Sequence, residues 1–252
     1  MNIFVLTGAG LSAESGLGTF RDKGGIWARF DPYELATPEA FARDPDKVHA
    51  FYDMRRENLV AAEPNAAHRA LARLQHGLAA RGGRAYLCTQ NIDDLLERAG
   101  AAEVVHMHGE LLKARCTACG AVSPWRTAMG RGAACPACGR VGALRPHVVW
   151  FGEMPLFMDE IEAALAEADL FVSVGTSGSV YPAAGFAAEA RAAGIPTCEI
   201  NLEPSDNART FTSRRYGPAT ETVPAWVAEI LGSGGDAPGG CGQSPRPTSR
   251  RA

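Results

Sequence analysis

Five short apolar runs in this chain each stop at a small or polar residue, and that recurrence constrains the fold more than anything else in the sequence. Ile3 to Leu6 runs into Gly8, Ala85 to Cys88 into Thr89, and Val104-Val105 into His106. Leu170 to Val174 then meets Gly175, and Thr197 to Ile200 meets Asn201. Between them lie stretches of helical period, among them Ala66 to Ala80, Phe157 to Ala168 and Pro182 to Ala193. Strands alternating with helices predict an α/β fold with a mostly parallel, doubly wound Rossmann-like sheet. In such sheets ligands sit outside the carboxyl ends of the strands, so the polar residues after the runs should converge on one crevice.

Two segments interrupt the alternation, a helical insert over 32–63 and a cysteine-bearing stretch over 113–144, and together they should form a smaller lobe. The large lobe then comprises 1–31, 64–112 and 145–232. Residues 233–252 are almost all small or polar, too poor in apolar side chains to offset ordering entropy, and the expectation there is a disordered tail that includes Cys241. A formal net charge of -3 supplies no global positive field for nucleic acid or an anionic membrane. No apolar run approaches the roughly 20 residues of a membrane span, and no export signal is visible. The expected compartment is the cytoplasm, with no nucleic-acid or membrane partner.

Cys116, Cys119, Cys135 and Cys138 form C-x2-C-x15-C-x2-C, a spacing in which each pair offers two thiolates to one tetrahedral zinc ion. Four thiolates leave no open coordination position, so the metal should be structural. A ribbon of this kind can also read nucleic acid. Between Cys116 and Cys138, however, the cations are only Arg126 and Arg131 and the sole aromatic is Trp125, a thin footprint for phosphate contacts. Cys88 and Cys198 are expected in the core.

Gly8, Gly10 and Ala13 form GxGxxA directly after the first run. Such a turn either cradles a pyrophosphate at a helix start or is simply tight. The acidic residue that should follow about 20 positions later in a dehydrogenase is missing. Thr89-Gln-Asn-Ile-Asp93 can hydrogen-bond a ribose or carboxamide, or can cap a helix through Asn91 or Asp93. In Val105-His-Met-His-Gly109 the two imidazoles should point to opposite sides of a strand end, so only one faces the crevice, as a general base or as a structural histidine.

Taken together, Gly8 to Gly16, Gly18-Thr-Phe-Arg-Asp22, Thr89 to Asp93, His108-Gly109, the four cysteines, Gly175-Thr-Ser177 and Asn201-Leu-Glu203 resemble the sirtuin family, in the family's order, over about Asn2 to Leu231. The resemblance implies removal of acyl groups from protein lysine with NAD consumed as co-substrate and one structural zinc. His108 would be the general base, with Asn91 and Asp93 also in catalytic roles. Gly8, Ala9, Gly10, Ala13, Phe20, Arg21, Gln90, Asn91, Asp93, Gly175, Thr176, Ser177, Asn201 and Ala219 would meet the cofactor. Val149, Trp150, Phe151 and Gly152 would line an acyl-lysine channel. The acyl oxygen would attack the nicotinamide ribose as nicotinamide departs, and acylated ADP-ribose and free lysine would follow. The same pocket would also serve mono-ADP-ribosyl transfer, the competing reading. A monomer acting on acylated proteins or peptides is expected.

Val48, Phe51, Tyr52 and Leu59 make a helix-spaced stripe on which Arg55 also falls, three residues from Tyr52. A guanidinium fork there matches a carboxylate, and the sirtuin subgroup that removes succinyl and malonyl groups is similar in carrying Tyr-x-x-Arg. The alternative is that Arg55 pairs with an acid such as Glu63 while Tyr52 serves the core.

Overall fold

The computed structural model describes residues 1–19 and 31–232. Phe20 and Arg21, and the tail from 233 with Cys241, lie outside the described residues.

Asn2–Thr7 (β1) and Arg84–Thr89 (β2) pair in parallel with each other, and Leu170–Val174 (β7) pairs in parallel with β1 on its other side. Val105–His106 (β3) extends the sheet beyond β2, while Thr197–Asn201 (β8) and Ser213–Tyr216 (β9) extend it beyond β7. The strand order is β3-β2-β1-β7-β8-β9. The chain leaves β1 toward β2 on one side and later returns to β7 on the other. The carboxyl ends of β1 and β7 therefore form the topological switch point.

Both faces of this sheet are buried, which is why its strands read as apolar runs. On β1, Ile3 and Val5 point one way, into a core with Leu71, Leu74, Trp226 and Val227. Phe4 and Leu6 point the other way, against Ile161, Phe171, Phe186 and Ala187. The period-2 pleat thus feeds two cores from one strand. The first core is covered by Ala66–Ala79 (α5) and Ala219–Gly232 (α9), the second by Met158–Ala166 (α7) and Phe186–Ala192 (α8). The helical pattern over Pro182 to Ala193 begins as a 3-10 turn, Ala183–Gly185, before α8.

The insert is three helices rather than one, and the reason is local. Pro32, Pro38 and Pro45 each occupy the first turn, where a missing N–H costs nothing. Asp31, Thr37 and Asp44 precede them and accept from Tyr33, Ala40 and Lys47 amides. These helices are Pro32–Leu35 (α2), Pro38–Arg43 (α3) and Pro45–Ala61 (α4). Val48, Phe51, Tyr52 and Leu59 of α4 are all buried, packed with Leu111, Val148 and Trp150.

A second, antiparallel sheet has Gly109–Cys116 (β4) between Val122–Pro124 (β5) and Leu144–Val148 (β6). Asp53 and Arg56 of α4 tie it to the insert. Fully buried Arg56 pairs with Asp53 and donates to the carbonyls of Leu111 at 3.2 Å and Thr127 at 3.3 Å.

Candidate active site

The turn after β1 and the turn after β7 touch backbone to backbone. Gly8 N–H donates to the Val174 carbonyl and Gly10 N–H to the Gly175 carbonyl, both at 2.9 Å. A Cβ on Gly10 would stand 2.8 Å from Gly175 Cα, and one on Gly175 would stand 2.5 Å from Leu11 N. Gly175 also has φ +63°, so both glycines are required by approach and conformation. Ala9 and Ala13 bound Ala9–Ala13 (α1), a one-turn helix opening at this junction. Thr176 is buried and its hydroxyl meets Ser173 Oγ at 2.8 Å. Asn201 Nδ2 donates to the Thr176 carbonyl at 2.9 Å, and Ser177 Oγ meets Ser179 Oγ at 2.8 Å. Ala219 starts α9 and packs partly buried on the first core.

The loop after β2 closes on the same junction. Gln90 N–H donates to the Thr7 carbonyl at 2.9 Å, and Asn91 Nδ2 donates to the Gly8 carbonyl at 3.0 Å. His108, in the turn between β3 and β4, lies 3.0 Å through Nδ1 from the Gln90 carbonyl. A carbonyl only accepts, so Nδ1 carries the hydrogen and Nε2 presents a lone pair. Burial holds the His108 pKa below the ordinary histidine value, opposed by the Gln90 carbonyl. The ring is therefore a neutral base near pH 7.

Val149 N–H donates to the His108 carbonyl at 2.9 Å, which brings the segment after β6 beside this imidazole. Within that segment Trp150 is buried and donates from Nε1 to Tyr52 Oη at 2.9 Å. Phe151 is exposed, and Gly152 has φ +89°. The Arg55 guanidinium stands 5.9 Å over the Tyr52 ring and 5.7 Å over that of Phe51. Burial lowers the Arg55 pKa and raises that of Tyr52. Glu63 is taken up by Arg98 at 3.1 Å.

The four cysteine sulfurs lie within 4.8 Å of one another. Cys116 to Cys138 and Cys119 to Cys135 are each 3.8 Å apart. Zn–S bonds of about 2.3 Å in a tetrahedron require S···S separations of about 3.8 Å, so the donor set fits zinc. The knuckles turn through Gly120 and Gly139, whose N–H groups donate to the Cys116 and Cys135 carbonyls at 2.9 and 2.8 Å.

A family model described as the Sir2 family matches residues 8–182. The chain belongs to the Sir2 family. This Sir2 protein is 64% identical over 231 residues to the NAD-dependent protein deacylase of Caulobacter vibrioides, covering 92% of this chain and 97% of that one. It is 54% identical over 231 residues to the NAD-dependent protein deacylase of Escherichia coli K12, covering 91% and 82%. Among solved structures it is similar to a complex of a Sir2 homolog with NAD, at a TM-score of 0.80 and 39% identity, covering 91% and 90%. A Sir2 homologue mutant in complex with ADP ribose matches at a TM-score of 0.83 and 39% identity, covering 91% of each chain. Among the described residues no helix is long and apolar enough to cross a membrane.

Sequence reasoning alone missed a buried network behind the Sir2 glycine turn. Ser12 Oγ donates to Asp93 Oδ2 at 2.9 Å and accepts from Asn91 Nδ2 at 3.2 Å. His68 Nε2 lies 3.2 Å from the same hydroxyl, and His68 Nδ1 accepts from Asn65 N–H at 3.2 Å, so Nε2 is the donor. Burial drops His68 to about 4, keeping it neutral. Asp93, whose pKa burial raises, also accepts from Leu95 N–H at 3.2 Å, one residue ahead of the N-cap position of Leu95–Arg98 (α6). The local signal for His68 was its place three residues after Asn65, where the two form a capping box.

Proposed function

We propose that this chain is an NAD-dependent protein-lysine deacylase that removes both acetyl and acidic acyl groups, such as succinyl and malonyl. The observation that carries the reading is His108, a neutral imidazole with an open Nε2, bonded to the Gln90 carbonyl in the loop that meets the glycine turn. Gly8, Ala9, Gly10, Ala13, Gln90, Gly175, Thr176, Ser177, Asn201 and Ala219 hold the dinucleotide at the switch point. Bound NAD supplies an electrophilic ribose carbon with nicotinamide as its leaving group, and ribose hydroxyls that finally carry the acyl group. His108 takes a proton from one of those hydroxyls. Asn91 and Asp93, braced by Ser12, orient the ribose and carboxamide. Val149 to Gly152 line the channel and keep water from the reacting atoms.

Tyr52 and Arg55 set the acyl preference. Trp150 fixes the phenol, and its own hydrogen remains to donate beside the guanidinium fork. Arg55→Met is expected to lower kcat/KM for a succinyl-lysine peptide by about tenfold to a hundredfold, the worth of a lost charged hydrogen bond, and to leave the acetyl-lysine peptide within a few-fold. Equal losses on both peptides would remove the carboxylate-clamp role. The substrates are acylated proteins met in the cytoplasm by a monomer, a compartment that suits thiolate zinc ligands. Incubation with acetyl and succinyl peptides plus NAD, read by mass spectrometry, tests the reaction: nicotinamide, free lysine and O-acyl-ADP-ribose are expected. ADP-ribosylated peptide in place of these would point to mono-ADP-ribosyl transfer.

A further inference from the structure

The two histidines of the Val105 to Gly109 segment occupy opposite electrostatic situations, and only one is used by the chemistry above. His106 is 5% exposed and lines a hollow of about 570 Å³ with Tyr86, Glu97, Glu110 and Lys113. Its Nε2 lies 2.6 Å from Glu97 Oε1, on Leu95–Arg98 (α6), and its Nδ1 lies 3.3 Å from the Asn91 carbonyl. Both neighbours can only accept. A neutral imidazole has a single N–H, so at these separations, too short for a water to stand between the partners, it would oppose a lone pair to one of them. An imidazolium satisfies both.

We infer that His106 is a positioning residue for the cofactor loop, held as an imidazolium that ties the Asn91 backbone to the Glu97 carboxylate. The role rests on the reading of that loop as the NAD contact. The Asn91 carbonyl belongs to the residue whose side chain bonds Gly8 and Ser12, so the clamp acts on the loop from behind. The charges facing His106 are Glu97 on α6, Glu110 on β4 and Asp93 on the loop. The cations of the hollow are engaged elsewhere, Lys113 with Glu110 and Arg84 with Glu103. Burial pulls the His106 pKa down, yet the hydrogen bond and charge of Glu97, the charge of Glu110 and the Asn91 carbonyl together carry it above the ordinary histidine value. Two residues later, His108 is shifted the other way. One imidazole is thus a charged brace and the other a neutral base.

The test pairs a direct titration with kinetics. In wild-type protein the His106 ring resonances, assigned by their loss in His106→Gln, are expected to titrate above the ordinary histidine value. Glu97→Gln replaces a half-exposed carboxylate with an amide that still accepts one hydrogen bond but no longer stabilises charge. It is expected to raise KM for NAD about tenfold near neutral pH, to recover toward wild type as pH falls below the ordinary histidine value, where His106 can still protonate, and to leave KM for the acyl peptide within about twofold. A purely structural contact would give no such pH-dependent recovery. His106 titrating at or below the ordinary histidine value, or a KM for NAD that is the same in Glu97→Gln and wild type at every pH, overturns the inference. Wild-type protein without NAD turnover would instead overturn the reading of the loop, whatever charge state the resonances report.

Discussion

His108→Ala is expected to lower NAD-dependent deacylation by about a hundredfold to ten-thousandfold, the range of a positioned general base. The loss should fall on kcat, with NAD binding by calorimetry within a few-fold and Tm nearly unchanged, because the side chain makes one hydrogen bond and is only half-buried. The pH profile follows from the sign of the shift. A base acts when neutral, and burial lowers the His108 pKa. The neutral fraction thus stays high as pH falls through the ordinary value of about 6.5, and the acid limb of kcat/KM should lie below it. An acid limb above pH 7, or deacylation retained in the variant, would assign the proton to another group.

Zinc removal should produce the largest loss of stability. Four thiolates at tetrahedral spacing hold a small sheet whose own core is little more than Ala114, Met129 and Leu144 around Cys116 and Cys135. Structural zinc contributes roughly 10 to 16 kcal/mol to folding in small metal-dependent domains. Losing even about 4 kcal/mol of that would lower Tm by roughly 8 to 16 °C in a chain of this size. Cys135→Ser, or exhaustive chelation, should give that drop. Metal analysis should find one zinc per wild-type chain, and because no coordination position is open, activity should return with zinc after chelation. A Cys135→Ser protein that melts like wild type would rule out the structural role. Since β4 runs from the site at Gly109 to the metal at Cys116, loosening the ribbon should also raise KM for peptide.

Much of this molecule is legible in order along the chain. The apolar runs became strands of one parallel sheet, because a strand buried on both faces must be apolar and must end where it reaches solvent; Gly8, the loop after Thr89, Gly175 and Asn201 meet at its switch point, whereas His106 turns instead toward Glu97. The cysteine pairs are equally local, since a knuckle of two thiolates is set by four consecutive residues. The insert was harder. Its stripe of Val48, Phe51, Tyr52 and Leu59 is buried as the period requires, yet the most enclosed cation is Arg56, one position off the stripe. Its guanidinium is met by the carbonyls of Leu111, on β4, and Thr127, in the loop after β5, both outside the insert.

The fold class and the cysteine cluster that fits zinc could be read from the chain alone, because both depend on side-chain period and on chemistry within a few residues. What each imidazole of the Val105 to Gly109 segment faces, by contrast, was set by tertiary packing. The pleat requires two residues at alternate positions to differ in direction, but their protonation depends on what stands opposite. For His108 that is a lone carbonyl, while for His106 it is a carbonyl and a carboxylate. The link from Ser12 to His68 and Asp93 is of the same kind, spanning 56 and 81 residues, and such partners are chosen by packing rather than by neighbourhood in the chain.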